Sequence, residues 1–232
     1  MKIIIYTVAN DAYVTKLKMM LNSFFTFNSS IDFHVLSASK QPPVFDKNTK
    51  IILHDASSLF ENYLEKHRKP SYACKKIKSL ITEFVNINNY DLIIYTDCDV
   101  IFYDSINKLI SEKTLDTINF SYDGGTYRDF NKYNICTGFF YFSPNKFPNL
   151  LKDWSVEIDA LVTQRPKFLD QPAMKNIVKT PIYNNNFSLI SLEEISQKFK
   201  RNNVIATHYI RRRGYNMYND YATFFNNEFN QL

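Results

Sequence analysis

The sequence predicts an α/β protein in which a mainly parallel central sheet, flanked by helices, forms a single domain. Three observations predict it. Short apolar runs recur through the first half, as at 2–8 and 91–96. Between them lie segments whose apolar residues repeat at helical spacing. Hydrophobic residues make up 45% of 232 positions, enough for one sizeable core. Buried strands that alternate with helices build parallel sheets covered on both faces.

The opening run, Met-Lys-Ile-Ile-Ile-Tyr-Thr-Val-Ala, is too short for a membrane helix or a signal peptide and reads as a buried strand over 2–8. Residues 12–25 read as a helix, with Val14, Leu17, Met20, Leu21, Phe24 and Phe25 on one stripe. Residues 32–37 and 50–54 read as short strands. Residues 57–66 and 71–86 read as helices, the second burying Ile77, Leu80, Ile81 and Phe84. A buried strand follows at 91–96. The second half is less regular: a short helix at 105–112, strands at 117–122 and 137–143, a helix at 146–164 carrying Trp154, a helix at 170–178 and a last strand at 203–207. No repeat, linker or low-complexity tract interrupts the chain.

Composition excludes several classes. The chain has four glycines, Gly124, Gly125, Gly138 and Gly214. Neither a GxGxxG fingerprint nor a P-loop can be written with them, which removes Rossmann dehydrogenases and P-loop NTPases. The three cysteines, Cys74, Cys98 and Cys136, form no CxxC pair. An odd count without pairing points to a reducing compartment, not to a disulfide scaffold or zinc ribbon. The net charge is +5, and Lys198, Lys200, Arg201, Arg211, Arg212 and Arg213 crowd one late segment. Such a cluster serves a phosphate-bearing ligand, a nucleic acid or a membrane surface, or it is a solvated face.

The chemistry centres on Tyr95-Thr96-Asp97-Cys98-Asp99-Val100-Ile101-Phe102. In extended chain, residues i and i+2 share a face. Asp97 and Asp99 then aim two carboxylates at one point while Cys98 turns toward the core. Hard cations such as Mg²⁺ and Mn²⁺ take oxygen ligands of this kind. In parallel sheets, ligands gather beyond the carboxyl ends of strands, where this pair lies. The spacing alone recurs by chance about once in a chain like this; the buried strand before it and the apolar stretch after it are what mark it. A solvated turn is the plain alternative.

Three further segments follow: Asn134-Ile135-Cys136-Thr137-Gly138-Phe139-Phe140-Tyr141-Phe142, then Asp170-Gln171-Pro172-Ala173, then Ala206-Thr207-His208-Tyr209. Taken singly, they read as a core strand, a helix N-cap and a core histidine. Taken in order after the acidic pair, with Trp154 between the first and second of them, the chain resembles GT-A glycosyltransferases. It is most similar to the nucleotide-diphospho-sugar transferases of glycosyltransferase families 77 and 8. The resemblance covers roughly residues 72–210.

The resemblance implies one GT-A domain over 1–232, with a nucleotide-binding half at 1–103 and a sugar- and acceptor-binding half at 104–232. It implies a divalent cation, Mn²⁺ or Mg²⁺, held by Asp97, Asp99 and His208 against the donor diphosphate, with Asp97 also near the ribose. Thr7, Val8, Ala9 and Asn10 would contact base and ribose, and Tyr13 would stack on the base. Lys76 would be a basic donor-binding residue. Asp123 would touch the sugar; Asn134, Thr137 and Gly138 would line its pocket; Asp170 and Gln171 would sit beside the anomeric carbon. Family 8 follows its histidine with a glycine and a phosphate-gripping lysine. Here Tyr209 and Ile210 follow, then three arginines, so Arg211, Arg212 or Arg213 would take that task. A guanidinium grips phosphate bidentately.

The implied activity is metal-dependent transfer of a hexosyl or pentosyl unit from a UDP- or GDP-sugar to a glycan or glycoprotein, with anomeric retention. The expected partners are this donor and acceptor, without nucleic acid or stable membrane insertion, in the cytoplasm of a bacterial or virus-infected cell. Three other readings remain open at this level. A haloacid-dehalogenase-like phosphatase would use Asp97 as nucleophile, although that motif normally opens the chain. A nucleic-acid binder would use the arginines and aromatics. A non-catalytic sugar-nucleotide binder would keep the site without turnover.

Overall fold

A computed structural model describes residues 1–39, 45, 50–67, 69–110, 115–123, 132–164, 169–197, 203–209 and 214–225. Its strands are β1 (Ile3–Ala9), β2 (Phe33–Ser37), β3 (Ile51–Asp55), β4 (Leu92–Thr96), β5 (Val100–Phe102), β6 (Ile118–Tyr122), β7 (Ile135–Phe142), β8 (Phe187–Leu189), β9 (Ile195–Gln197) and β10 (Ala206–His208). Its α-helices are α1 (Val14–Phe27), α2 (Ser57–His67), α3 (Pro70–Ile77), α4 (Leu150–Val162), α5 (Asp170–Ile177) and α6 (Gly214–Phe225).

The main sheet runs β3-β2-β1-β4-β7-β6-β8. Strands β3, β2, β1 and β4 are mutually parallel. β7 runs antiparallel to both β4 and β6, and β6 and β8 are again parallel. One reversed strand thus interrupts a sheet that is otherwise parallel, as the sequence predicts.

Alternation along the strands feeds two cores. Ile4, Tyr6, Ile93, Tyr95, Phe140 and Phe142 face one side, where Trp154 of α4 packs. Ile5, Phe33, Val35, Ile94, Phe139 and Tyr141 face the other, against Leu17, Met20 and Phe24 of α1. Period-2 strands sandwiched between helices bury both sets.

A second sheet, β5-β10-β9, carries the end of the chain back to the acidic motif. His208 pairs with Val100 and Thr207 with Ile101 in antiparallel register. α6 buries Met217, Tyr221 and Phe225 against Ile101, Tyr103 and Tyr209.

Two predicted elements change form. The helix expected over 71–86 is α3 to Ile77, then a 3₁₀ segment Lys78–Glu83, broken at Leu80 (φ −108°, ψ 18°). The helix expected at 105–112 is a 3₁₀ turn, Ile106–Leu109, capped by the Ser105 side chain. Strands β5, β8 and β9, each three residues long, and helix α6 lie outside the elements that periodicity identifies. No helix among the described residues is long and apolar enough to cross a membrane.

Candidate active site

Asp97 and Asp99 lie just beyond the carboxyl end of β4, in a turn and not in extended chain. The two carboxylates still converge. Asp97 is fixed by its backbone N–H, which donates to Gly138 O at 2.7 Å, and Asp99 by its carbonyl, which accepts from Tyr209 N at 2.7 Å. Between them Cys98 is buried, as predicted, with Sγ 3.3 Å from Val8 O and 3.4 Å from Thr7 Oγ1. Burial, foremost, pushes its thiol up to about 12.

The register of β10 on β5 brings His208 to the pair. Its Nε2 lies 3.1 Å from Asp99 Oδ1 and 3.6 Å from Asp97 Oδ2. On the far side of the ring, Cys136 Sγ is 3.6 Å from Nδ1. Burial opposes the charged imidazole, but Cys136 and Asp99 outweigh it and lift His208 well above its ordinary value. Burial likewise raises Asp99, and the stronger pull of His208, Lys16 and Lys78 together holds it below the usual carboxylate range. One ligand atom from each of Asp97, Asp99 and His208 fits within a 4.8 Å span. Two carboxylates and an imidazole at that spacing form a donor set suited to a divalent cation.

A buried lysine links this cluster to α5. Lys78 Nζ lies 2.8 Å from Asp97 Oδ1 and 2.8 Å from Asp170 Oδ2. Thr137 Oγ1 donates to the same Asp170 oxygen at 3.0 Å, and Lys75 stands 3.3 Å from the other. Burial disfavours charge on both partners, yet their attraction wins: Lys78 is raised and Asp170 is held far below its ordinary value. Trp154 Nε1 donates to Asp170 O at 2.9 Å, so the buried indole seats the start of α5. Tyr95 OH donates to Asp97 Oδ1 at 2.5 Å.

Two cavities meet at this cluster. One of about 300 Å³ is lined by Val8, Asn10 and Tyr13 from the tip of β1, by Ser71, Cys74, Lys75 and Lys78, and by Tyr95 and the 97–99 turn. The other, of about 290 Å³, adds Asp123, Cys136, Thr137, Gly138, Asp170, Gln171 and His208.

Several predicted site residues sit elsewhere. Thr7 and Ala9 are buried and line neither cavity. Asn134 also lines neither; its carbonyl accepts from Asp123 N at 2.7 Å. Lys76 points away, donating to Ser155 O and Oγ at 2.6 Å and to Asp159 at 2.7 Å. The basic groups that this segment brings to the acidic cluster are Lys75 and Lys78, on the opposite face, and Lys16 of α1 adds a third, 3.8 Å from Asp99. Ser71, Cys74, Lys75 and Lys78 recur at i, i+3, i+4 and i+7, a polar stripe legible as one helix face. Arg211 and Arg212 lie outside the described residues.

A sequence profile of the nucleotide-diphospho-sugar transferase family matches residues 33–222, most of the chain. The chain belongs to this family. The transferase also matches solved glycosyltransferases in fold. The galactosyltransferase LgtC, solved with donor and acceptor sugar analogs, aligns with a TM-score of 0.64 at 14% identity, covering 90% of this chain and 87% of LgtC. The glycosyltransferase GlyE of Streptococcus pneumoniae gives 0.63 at 13% identity, over 91% of this chain and 55% of GlyE. The bifunctional glycosyltransferase WbbM gives 0.67 at 12%, over 97% of this chain and 50% of WbbM. A search of curated proteins gave no sequence match. The protein is therefore a glycosyltransferase with a GT-A fold, and the phosphatase alternative falls with that assignment.

Proposed function

We propose that this transferase holds a divalent cation, Mn²⁺ or Mg²⁺, through Asp97, Asp99 and His208, and moves a hexosyl or pentosyl unit from a UDP- or GDP-sugar to a glycan or glycoprotein, with anomeric retention. One observation carries the reading. Asp97 and Asp99 stand at the shared wall of two cavities of about 300 and 290 Å³, and His208 closes the group from the second. A nucleotide sugar has the same order: a nucleoside, a diphosphate that wants cations, and a sugar. An imidazole among carboxylates favours Mn²⁺ over Mg²⁺.

The division of residues supports roles for the two halves of the chain. The first cavity draws only on residues between Val8 and Asn10 at one end and Asp99 at the other, which suits 1–103 as the nucleotide-binding half. Val8, Asn10 and Tyr13 meet base and ribose there, with the exposed ring of Tyr13 as the stacking group. Residues unique to the second cavity come from 104–232. Asp123, Thr137 and Gly138 surround the sugar, and Asp170 and Gln171 flank its anomeric carbon.

When bound, the cation stabilises negative charge that grows on the diphosphate as the sugar departs. Lys75 and Lys78 add fixed positive charge on the same wall. Asp170, held ionised by Lys78 and Lys75, donates no proton at neutral pH and presents a constant negative charge to the sugar. LgtC has been solved as an active-site variant with glutamate in place of glutamine, and Gln171 is the glutamine of this site. The cytoplasm of a bacterial or virus-infected cell suits three cysteines that stay as thiols.

The test is a panel of UDP- and GDP-sugars with Mn²⁺, followed by thermal shift and by slow donor hydrolysis. One or more donors should stabilise the protein and be hydrolysed only with the cation, and Asp99→Ala should remove the cation-dependent part of both signals. Equal signals with a chelator present would reject the metal role.

A further inference from the structure

Asp123 stands at the end of β6 and Gln171 on the first turn of α5, and the two side chains meet: Gln171 Nε2 is 2.5 Å from Asp123 Oδ2. A carboxylate only accepts, so the group that faces it is the amide nitrogen. The shape of an amide leaves its orientation open; this contact decides it. Lys175, one helical turn beyond Gln171, places Nζ 3.7 Å from the same carboxylate oxygen. The main chain of Asp123 is anchored as well, its N–H donating to Asn134 O at 2.7 Å.

With Nε2 committed to Asp123, the carbonyl oxygen of Gln171 occupies the other branch of the amide. That oxygen has no hydrogen-bond partner among the described residues, and Gln171 lines the second cavity. From these contacts we infer that Asp123 is a positioning residue, which locks the Gln171 amide so that Oε1 faces the sugar. The inference rests on the transferase reading above.

The chemistry gives the orientation its value. As the bond to the diphosphate breaks, positive charge develops on the anomeric carbon and the ring oxygen of the sugar. The negative end of a fixed carbonyl dipole stabilises that charge, whereas a flipped amide would oppose it with an NH₂ group. Asp123 also lines the sugar cavity, but its carboxylate is engaged by Gln171 and Lys175, so its loss should slow the chemical step more than it weakens donor binding.

Steady-state donor hydrolysis with Mn²⁺ tests the idea. The Asp123 side chain is 41% exposed, so replacing it leaves the core intact. Asp123→Leu should lower kcat by about tenfold or more with donor KM changed less than about twofold. Asp123→Asn retains an accepting oxygen and should cost no more than about threefold. In Gln171→Glu two carboxylates face one another; adding Asp123→Asn restores the bond with donor and acceptor exchanged, and should raise kcat about fivefold over Gln171→Glu alone.

The inference is overturned if Asp123→Leu keeps kcat within about twofold of wild type. It is also overturned if Asp123→Asn is as damaged as Asp123→Leu, or if the double variant gains nothing. The two levels of the argument separate cleanly. Wild type that hydrolyses no sugar nucleotide overturns the transferase reading and this inference with it. Wild-type turnover with an unimpaired Asp123→Leu removes this inference alone.

Discussion

His208 occupies the space that a side chain at Gly138 would fill: a Cβ built on Gly138 would stand 2.0 Å from Cε1 of the imidazole and 2.7 Å from each ring nitrogen. The glycine is needed for close approach, not for an unusual backbone angle, since no glycine among the described residues has a positive φ. Gly138→Ala should therefore push the imidazole off the carboxylates. Overpacking of this kind costs about 1–3 kcal/mol. The expected outcome is a lower melting temperature together with loss of the Mn²⁺-induced thermal shift, read in the same melting experiment.

Lys78 is the sole buried cation bridging Asp97 and Asp170 among the described residues. Lys78→Met leaves two carboxylates facing a site without it. Breaking such a pair costs about 3 kcal/mol or more, or roughly 6–12 °C in a chain of this size. Donor hydrolysis should fall with it, whereas Lys78→Arg, which keeps the charge, should recover part of the stability. Urea melts of the three proteins check the order.

Lys76 makes the opposite prediction. Its ammonium serves Ser155 and Asp159 on α4. Lys76→Met should lower stability by about 0.5–1.5 kcal/mol, the net worth of hydrogen bonds whose partners are partly exposed. The donor KM should stay within about twofold of wild type. A large rise in KM would return Lys76 to the donor site.

A pH effect belongs to a different region. His34 on β2 and His54 on β3 stack with ring nitrogens 2.9 Å apart. Burial, foremost, and then His54 lower the His34 pKa to about 4. Between that value and the unfolded value near 6.5, the unfolded chain holds a proton that the folded chain lacks. Stability is thus complete above pH 6.5 and is lost as pH falls toward 4, by about 2 kcal/mol. Melting temperatures at pH 7 and pH 4.5 should differ by several degrees more in wild type than in His34→Phe.

Much of this site was legible before any coordinates. β1 and β4 declare themselves as unbroken apolar runs because both faces of the strand are buried. The acidic pair is legible in composition but not in conformation: its carboxylates converge from a turn, not from the extended backbone that an i, i+2 spacing suggests. His208 was found only through the order of motifs, since its meeting with Asp99 depends on the three-residue strands β5 and β10, too short to show periodicity. Helical spacing puts Lys78 on one face with Ser71, Cys74 and Lys75, but which face of the segment meets the acidic pair depends on tertiary packing that the spacing does not reveal. Lys76, two residues away with the same side chain, is not separable from Lys78 by sequence position alone.

Five residues, Tyr13, Lys75, Lys78, Asp97 and Asp99, belong to both cavities, and the rest divide between them. Val8, Asn10, Ser71 and Cys74 belong to the first alone, Asp123, Thr137 and Gln171 to the second alone. On the proposed reading, choice of base and choice of sugar become two separate dials on one scaffold. Descendants of this chain can drift in one preference while the other stays put. A chimera that exchanges one preference for another has its natural splice between residues 99 and 123, where the polypeptide leaves one chamber before it enters the next.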